Sequence, residues 1–385
     1  MCARARSGRS VQTKMGFLIF GNFGTWKSSL CLQFARMKRE DGKPFRVLYI
    51  DAEAGSVDSY LELLEQDGID TGNIYLVYTQ SLGEVREYIH KASINEDFLE
   101  LDEDGNETDT VVLDADGEPF RADAIVVDGT SIIYIATQQG LIEYSKKRAK
   151  VRAKQKELTG DERQVSVEGA GLEIKDYNTL KFKGQDLILD LLATGKHFAV
   201  TSRETDEKTQ VKLADGTTTS VATGKKIPEG FKGLDYNVKT VLHTFVAEDG
   251  MVKAIVENKD RTLVHMQNEV IEEPSLLDWE TVITKNKGKK EFVIVNNLQK
   301  SVKAEQKIYE NEIDNASGEN DSTKENEIKE TPEYFHEQIA EIINRMTPQK
   351  KKTLKTTVEK EGLPLKYKEL EDIDKLKLYV QIISK

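Results

Sequence analysis

The sequence predicts an α/β fold in which a mainly parallel, twisted sheet is flanked by helices. Short apolar runs typical of buried strands recur along the chain, at 17–20, 46–51, 73–78, 124–128 and 197–201. Segments with apolar residues at helical spacing lie between several of them, at 57–66, 82–89 and 177–193. Strands that alternate with helices are typical of parallel sheets. Residues 238–246 and 251–257, joined by a turn with glycine, predict an antiparallel hairpin at the C-terminal edge of the sheet.

Length and composition indicate how the chain is divided. Its 385 residues suffice for one large domain with an appendage, or for two domains. Charged residues make up 32% and hydrophobic residues 38%, which predicts a folded core that carries solvated segments. We expect an N-terminal tail at 1–15, a core at 16–300 with an acidic insertion at 94–120, an acidic disordered linker at 301–331 and a small helical C-terminal module at 332–385.

Composition also excludes several classes of protein. Two cysteines, Cys2 and Cys31, make no disulfide framework, and five histidines without ligand spacing disfavour a zinc site. No apolar run approaches the ~20 residues that span a bilayer, and no apolar segment follows the N-terminal arginines as in a secretory signal. We therefore expect a cytoplasmic protein without a membrane partner. The net charge of −12 argues against a uniformly basic nucleic-acid coat but permits a local basic groove.

Residues 18–30, with the sequence LIFGNFGTWKSSL, join an apolar strand to a helix through a small polar loop. Gly21, Lys27 and Ser28 stand at the offsets of the pattern G-x-x-x-x-G-K-[ST]. In that pattern the loop N–H groups point at phosphate oxygens, the lysine reaches the terminal phosphates and the serine holds Mg²⁺. The sequence thus predicts a site for ATP and Mg²⁺ built from Gly21, Asn22, Phe23, Gly24, Thr25, Trp26, Lys27, Ser28 and Ser29.

One residue departs from this pattern, because Trp26 replaces the second glycine. The indole either obstructs the close approach of phosphates to the backbone or covers the nucleotide from outside. Asp128 ends the apolar strand at 124–128 and is, with Ser28, the expected holder of the magnesium shell. A strand–turn–helix with a surface lysine is the alternative for the loop segment.

Positive charge is concentrated in the segment at 146–156, which holds seven basic residues in eleven. It fits contacts with a phosphate backbone, and an exposed helix face is the equal alternative. The segment at 206–228 is polar, rich in turns and carries four lysines, and its Asp215-Gly216 pair predicts a hairpin tip.

The run at 49–89, which begins YIDAEAGSVDSYLELLEQDGID, resembles the corresponding run of RecA-type recombinases. The phosphate loop before it and AIVVDGTS at 124–131 extend the likeness to the ATPase core of that superfamily. The segments KKIPEGFKGLDYNVKTVLHT at 225–244 and ENKDRT at 257–262 are similar to phage-encoded RecA-like ATPases that assist single-strand annealing. The resemblance covers residues 17–274 and implies a RecA-like P-loop NTPase core. It also implies an ATP-hydrolysing, DNA-binding homo-oligomer, a ring or a filament, of phage recombination or replication.

The resemblance further implies roles for individual residues. Glu53, just past its strand, is the expected general base that aligns the attacking water. Lys259 and Arg261 stand where the family places cations that reach the nucleotide of the neighbouring subunit. The family's sensor of the γ-phosphate follows the next strand, where Ser202 or Arg203 would replace the usual polar amide.

The same resemblance places two mobile DNA-binding loops at the two lysine-rich segments. Single-stranded DNA is therefore the expected partner, and its expected contacts are Lys146, Lys147, Arg148, Lys150, Arg152, Lys208, Lys212, Lys225 and Lys226. Tyr144, Tyr177 and Phe231 are the candidate stacking residues. One alternative is a hexameric replicative helicase-like motor, which is disfavoured because only about fifteen residues precede the phosphate loop. The other alternative is a scaffold that Trp26 prevents from binding nucleotide. The C-terminal module is expected to bind DNA or a single-strand-binding protein.

Overall fold

The computed structural model describes residues 14–286 apart from 40, 56, 103 and 214–215. Beyond them it describes positions 293, 302, 303, 306, 332–344, 358, 363, 364, 367, 370 and 372–383. The chain divides into two compact units, Met1–Val302 and Lys303–Lys385. The expected N-terminal tail, apart from its last two residues, and nearly all of the expected linker lie outside the described residues.

The strands of the first unit form a nine-stranded sheet and a separate two-stranded one. In chain order they are β1 (Gly16–Gly21), β2 (Val47–Asp51), β3 (Ile74–Tyr78), β4 (Leu99–Leu101), β5 (Glu107–Val111), β6 (Ala124–Asp128), β7 (His197–Lys212), β8 (Thr218–Pro228), β9 (Thr240–Val246), β10 (Val252–Asp260) and β11 (Val270–Ile271).

The described helices are eight in the first unit and two in the second. They are α1 (Lys27–Leu32), α2 (Asp58–Gln66), α3 (Leu82–Ile94), α4 (Thr130–Gln155), α5 (Gly160–Glu168), α6 (Ile174–Ala193), α7 (Leu234–Asn237), α8 (Glu280–Asn286), α9 (Pro332–Asn344) and α10 (Ile373–Ile383). Within the described residues, no helix has both the length and the apolar character needed to cross a bilayer.

The order of the strands confirms the predicted fold class. The large sheet runs β11-β10-β9-β1-β7-β6-β2-β3, and β8 pairs only with β7. The strands from β9 to β3 are parallel, whereas β10 and β11 continue antiparallel at the C-terminal edge, as the sequence predicts. The carboxyl ends of β1, β2, β6 and β7 therefore meet at one edge of the sheet, where ligands bind in open α/β folds.

The central strands are apolar because both of their faces are covered. Every residue of β1, β2 and β6 is buried, which explains their continuous apolar runs. Alternate side chains enter two separate cores, with Leu18 in the core beneath α3 and α6 and Phe17 in the core beneath α1 and α2. The second core also holds Cys31, the expected core cysteine, and Trp279.

Four local segments bear on the sequence expectations. The helix after the phosphate loop has six residues and continues as a 3₁₀ turn, Gln33–Arg36. Residues 146–155 form the last turns of the 26-residue helix α4, which agrees with the exposed-helix alternative and not with a mobile loop. The lysine-bearing segment at 206–228 is a β-ribbon made by the second half of β7 and by β8, which agrees with the predicted hairpin. The expected acidic insertion is a hairpin of β4 and β5.

The second unit is held by apolar residues of its two helices and of the chain between them. Phe335 and Ile339 of α9 share a buried cluster with Leu376 and Tyr379 of α10. The ring Nε2 of His336 lies 2.9 Å from the backbone oxygen of Leu370. The basic stretch at 349–355 that we expect to bind DNA lies outside the described residues.

Candidate phosphate-binding site

The loop between β1 and α1 curls around the amine of Lys27. The Nζ of Lys27 donates a hydrogen bond of 2.6 Å to the carbonyl oxygen of Asn22. The Oγ1 of Thr25 donates to the same oxygen at 2.8 Å. Phe23, at the tip of the loop, is 88% exposed. The side chain that the phosphate-loop pattern assigns to terminal phosphates is thus folded back over its own loop.

The foot of the loop is fixed against β9. The hydroxyl of Thr25 lies 2.8 Å from that of Thr244, and both residues are buried. A Cβ at Gly21 would lie 2.1 Å from the carbonyl oxygen of Thr244, so only glycine fits here. The first glycine of the pattern is therefore required by strand packing.

Trp26 adopts the backbone conformation that the missing glycine would favour. Its φ of 62° and ψ of 20° are left-handed, a conformation that costs a residue with a Cβ roughly 1–2 kcal/mol. The backbone oxygen of Trp26 accepts from the Ser29 hydroxyl and from the N–H of Leu30, both at 2.9 Å. The indole is 45% exposed, so the departure from the pattern changes the side chain and leaves the glycine-like turn in place.

Asp51 holds the turn that presents Glu53. Its buried carboxylate accepts hydrogen bonds from the backbone N–H groups of Glu53, Ala54 and Gly55, at 2.8, 3.1 and 3.0 Å. Three bonds from one carboxylate fix this turn at the carboxyl end of β2. Gly129 approaches from β6, and a Cβ there would lie 2.8 Å from the Cγ of Glu53. Glu53 is consequently positioned by backbone contacts on two sides.

Asp128 lies at the floor of the site and is 2% exposed. One carboxylate oxygen accepts from the Tyr49 hydroxyl at 2.7 Å, and the other accepts from the Thr201 hydroxyl. These two bonds fix the orientation of the Asp128 carboxylate.

The two candidates for the phosphate sensor separate clearly in the structure. Ser202 is buried, and its hydroxyl donates to the backbone oxygen of Glu229 at 2.8 Å. The side chain of Arg203 is 48% exposed, and its Nε lies 3.1 Å from the Oε1 of Glu53. Of the two, Arg203 is the one that can contact a ligand beside Glu53.

One small cavity of about 240 Å³ is lined by Asn22, Phe23, Lys27, Glu53, Arg203, Glu204 and Glu229. Ser28 and Asp128 are not among its lining residues. Burial lowers the pKa of Lys27, the Glu53 and Asp128 carboxylates oppose that decrease, and Arg203 adds to it. The volume lies below the roughly 300–1,000 Å³ of cavities that enclose a drug-sized ligand. The cavity can therefore accept phosphates, and a nucleoside would extend beyond it.

Lys259 and Arg261 lie elsewhere, in a second cavity of about 830 Å³ between the base of the β-ribbon, α7 and the turn after β10. The Nζ of Lys259 donates to the backbone oxygens of Asp235 and, at 2.8 Å, of Tyr236. Burial lowers the pKa of Lys259 to about 8, and the adjacent Arg261 contributes to this decrease. Glu53 and Lys27 do not line this cavity. Within one chain, the structure therefore does not bring Lys259 and Arg261 into the cavity of Lys27 and Glu53.

Three basic residues in the last turns of α4 are neutralised by neighbours. Lys146 forms ion pairs with Glu143 and Glu168, at 3.1 and 3.2 Å. Arg148 and Arg152 pair with acidic residues at the start of α6, at 2.5 and 2.9 Å. Lys147 and Lys150 are exposed, and no ion pair of theirs occurs among the described residues.

The lysines of the β-ribbon are less compensated. Lys226 pairs with Asp206 at 2.8 Å, whereas Lys208, Lys212 and Lys225 are exposed without an ion pair in the described part of the chain. Of the three expected stacking residues, Tyr144 and Tyr177 are exposed. Phe231 is buried against Tyr134, so its assignment as a stacking residue is wrong.

Sequence reasoning missed several residues that build the site. Thr244 and Gly129 act through packing and backbone contacts that no motif reports. Asp51 could have been found, because a carboxylate at the end of a buried strand, followed by a turn with glycine, is a common loop-holding arrangement. Glu204, which pairs with His243 at 2.8 Å, also lines the cavity.

Comparisons with known proteins add a likeness of structure. No protein-family model matches the chain, and no curated protein matches it. Among solved structures, a KaiC-like protein, PH0186, from the hyperthermophilic archaeon Pyrococcus horikoshii OT3 is similar, with 13% sequence identity and a TM-score of 0.34. The likeness covers 68% of this chain and 89% of that one. The function is therefore inferred from the residues of the two cavities.

Proposed function

We propose that the protein binds and hydrolyses ATP with Mg²⁺ and couples this to the binding of single-stranded DNA. One observation carries the proposal. The lysine of a phosphate-loop pattern, a glutamate on a fixed turn and an arginine line the same cavity at the carboxyl edge of a parallel sheet. This is the edge at which such sheets bind ligands.

The chain's own groups fit a triphosphate with magnesium. Lys27 and Arg203 supply two cations to the cavity, and the loop between β1 and α1 would supply backbone N–H groups. Ser28 and Asp128 would hold the magnesium shell, since hydroxyl and carboxylate oxygens are its usual ligands. Bound magnesium would neutralise charge on the phosphate oxygens.

Lys27 and Glu53 then have separate roles in hydrolysis. Lys27 binds the phosphates, and Glu53 accepts a hydrogen bond from the water that attacks the terminal phosphate. The Asp51-held turn keeps the Glu53 carboxylate in place at little entropic cost, because its backbone is already fixed.

We further propose that the active form is a homo-oligomer in which Lys259 and Arg261 act on the nucleotide of the adjacent subunit. Their separation from the Lys27 cavity within one chain supports this assignment. Cations that reach the site from a neighbour make hydrolysis depend on assembly. Ring and filament assemblies would both provide such a contact.

Nucleotide binding by purified protein tests the first part of the proposal. Calorimetric titration with ATP and Mg²⁺ is expected to show saturable binding by the wild type and a loss of about tenfold to a hundredfold in affinity for Lys27→Ala, the range expected for hydrogen bonds to a charged group. Lys38→Ala, which removes an exposed lysine outside both cavities, serves as the matched control. Equal affinities for the three proteins would refute a phosphate site at Lys27.

The salt dependence of binding to single-stranded DNA tests the second part. Neutralising the unpaired ribbon lysines, Lys208, Lys212 and Lys225, with glutamine is expected to flatten the logarithmic salt slope by about two, from roughly 0.7 per lost phosphate contact. The comparison variant neutralises three exposed lysines of α4, Lys147, Lys150 and Lys154. A larger change in this second variant would place the DNA on the helix, and no change in either would remove both segments from DNA binding.

A further inference from the structure

Arg203 and Glu53 already form an ion pair before any ligand enters their cavity. The Nε of Arg203 lies 3.1 Å from the Oε1 of Glu53, and Lys27 lines the same cavity of about 240 Å³. The carboxylate proposed to accept a proton from water thus makes a charged hydrogen bond to a guanidinium. The carboxylate oxygen that contacts the guanidinium is therefore less available to orient a water molecule.

Both ends of this pair are held by the backbone. The N–H of Arg203 donates to the Ser131 hydroxyl at 2.9 Å, and its carbonyl oxygen accepts from the N–H of Glu229 at 2.7 Å. The Arg203 backbone also lies opposite Gly21, the first residue of the loop pattern, in the pairing of β7 with β1. The flexible part of the arrangement is therefore the Arg203 side chain, which spans from a fixed backbone to the mouth of the phosphate site.

We propose that Arg203 is a phosphate-operated latch on Glu53. Without a terminal phosphate the guanidinium holds the Glu53 carboxylate. A terminal phosphate in the cavity draws the guanidinium to itself and frees the carboxylate to orient water. This inference rests on the proposed nucleotide site and assigns a control step within it.

Competition for one guanidinium is the physical basis of the latch. Its planar fork of N–H donors can match a carboxylate or a phosphate, and binding to one must weaken binding to the other by the same factor. The side chains of Arg203 and Glu53 are 48% and 30% exposed, so the pair is of the partly solvated kind. Such pairs change an equilibrium by about fivefold at most, which suits a latch that a ligand must open.

A double-mutant cycle on the full chain tests the latch. Calorimetry would measure the affinities for a non-hydrolysable ATP analogue and for ADP in the wild type, Glu53→Gln, Arg203→Gln and the double variant. Glu53→Gln is expected to bind the triphosphate analogue about threefold to fivefold more tightly and ADP with unchanged affinity. In the Arg203→Gln background, the same change is expected to alter the affinity for the analogue by less than about twofold.

A matched carboxylate separates the latch from general charge repulsion. Glu204→Gln removes one negative charge from the same cavity but leaves the Arg203–Glu53 pair intact, because Glu204 pairs with His243. Its effect on affinity is expected to be equal with and without Arg203. If Glu53→Gln behaves in that way too, the latch is refuted while the nucleotide site stands. If the wild type binds neither nucleotide, both the proposed function and the latch fail.

Discussion

Lys27 and Lys259 differ in the charged groups that surround them. Burial lowers the pKa of both Lys27 and Lys259. Around Lys27 the carboxylates of Glu53 and Asp128 oppose that decrease. Around Lys259 the larger charge effect comes from another cation, Arg261, which lowers the pKa further, and only the Asp235 carboxylate opposes the decrease. The first lysine therefore belongs to a balanced site, and the second belongs to a site with excess positive charge.

This difference indicates where each site finds its anion. The Lys27 cavity holds cations and carboxylates together, so a phosphate must compete with groups of the same chain. In the second cavity the amine of Lys259 bonds only backbone oxygens, and within the described residues neither it nor Arg261 forms an ion pair. The carboxylates of Asp235, Glu257 and Asp260 also line this cavity. Lys259 is only half-buried and Arg261 is exposed, so an anion brought by a second copy of the chain could reach both cations.

The largest expected effect is a loss of ATP hydrolysis in two single variants, which mixing the two variants partly restores. Lys27→Ala and Arg261→Ala are each expected to lower the rate of ATP hydrolysis by a hundredfold or more, one through binding and one through the neighbour's transition state. A mixture of the two is expected to recover roughly a quarter of the wild-type rate, because random head-to-tail assembly joins intact halves at one interface in four.

The control for this repair is a chain that carries both substitutions. The doubly substituted protein should recover nothing when mixed with either single variant, since no interface then contains two intact halves. A mixture of the single variants that stays inactive would show that Arg261 acts within its own chain or outside catalysis. Recovery with the doubly substituted protein, or an inactive mixture of the single variants, would contradict the assignment of Arg261 to the site of a neighbouring subunit.

A smaller effect concerns the proton of Lys259. Its pKa of about 8 lies below the ordinary 10.5, so its share of anion binding should fade as pH rises through about 8. Between pH 8 and 10.5 the Lys259 amine is protonated in the unfolded chain but largely neutral in the folded one, so Lys259 makes the free energy of unfolding rise with pH. Below about pH 8 the amine is protonated in both states, and its contribution is constant. Arg261→Gln removes a cation that lowers the pKa, and the pKa of Lys259 is then expected to rise.

Proton titration of isotopically methylated lysines by nuclear magnetic resonance would measure this change. Lys259→Arg identifies the resonance of Lys259 by its loss. Lys232→Gln, which removes an exposed lysine outside both cavities, controls for the loss of a distant charge. An unchanged Lys259 titration after Arg261→Gln would show that burial alone sets its pKa, and the excess of positive charge in the second cavity would be overstated.

The sequence predicts strands and the sheet edge well because these follow from local patterns. The strand at 124–128 has the predicted bounds, β1 is one residue longer at each end than predicted, and β2 and β3 each begin one residue later. Buried parallel strands are continuous apolar runs, and the glycine and aspartate at their ends bound them. Glu53 and Lys27 line one cavity because each follows a parallel strand whose carboxyl end lies at that edge of the sheet.

Long-range contacts explain what could not be predicted. The segment at 146–156 has a high density of positive charge in sequence, yet Arg148 is neutralised by Asp176, which lies 28 residues further along. In the ribbon at 206–228 the sequence predicts the hairpin tip, but the polar strands on either side could not be predicted, because they are stabilised by pairing with each other. Charge counts report composition, while the net charge that a partner meets depends on which acidic residues fold against the cations.

The smallest expected effect concerns the indole beside the balanced lysine. Trp26 holds a left-handed backbone, so Trp26→Ala keeps the strain and Trp26→Gly removes it. We expect Trp26→Gly to exceed Trp26→Ala in free energy of unfolding by at most about 1 kcal/mol, because the flexibility of glycine in the unfolded chain offsets part of the relief. Urea denaturation would measure the difference, with Gly24→Ala as the control for a left-handed turn whose Cβ meets open space. If both Trp26 variants lose stability equally relative to the wild type, the indole itself stabilises the loop, and the site around Lys27 depends on a side chain that the phosphate-loop pattern does not contain.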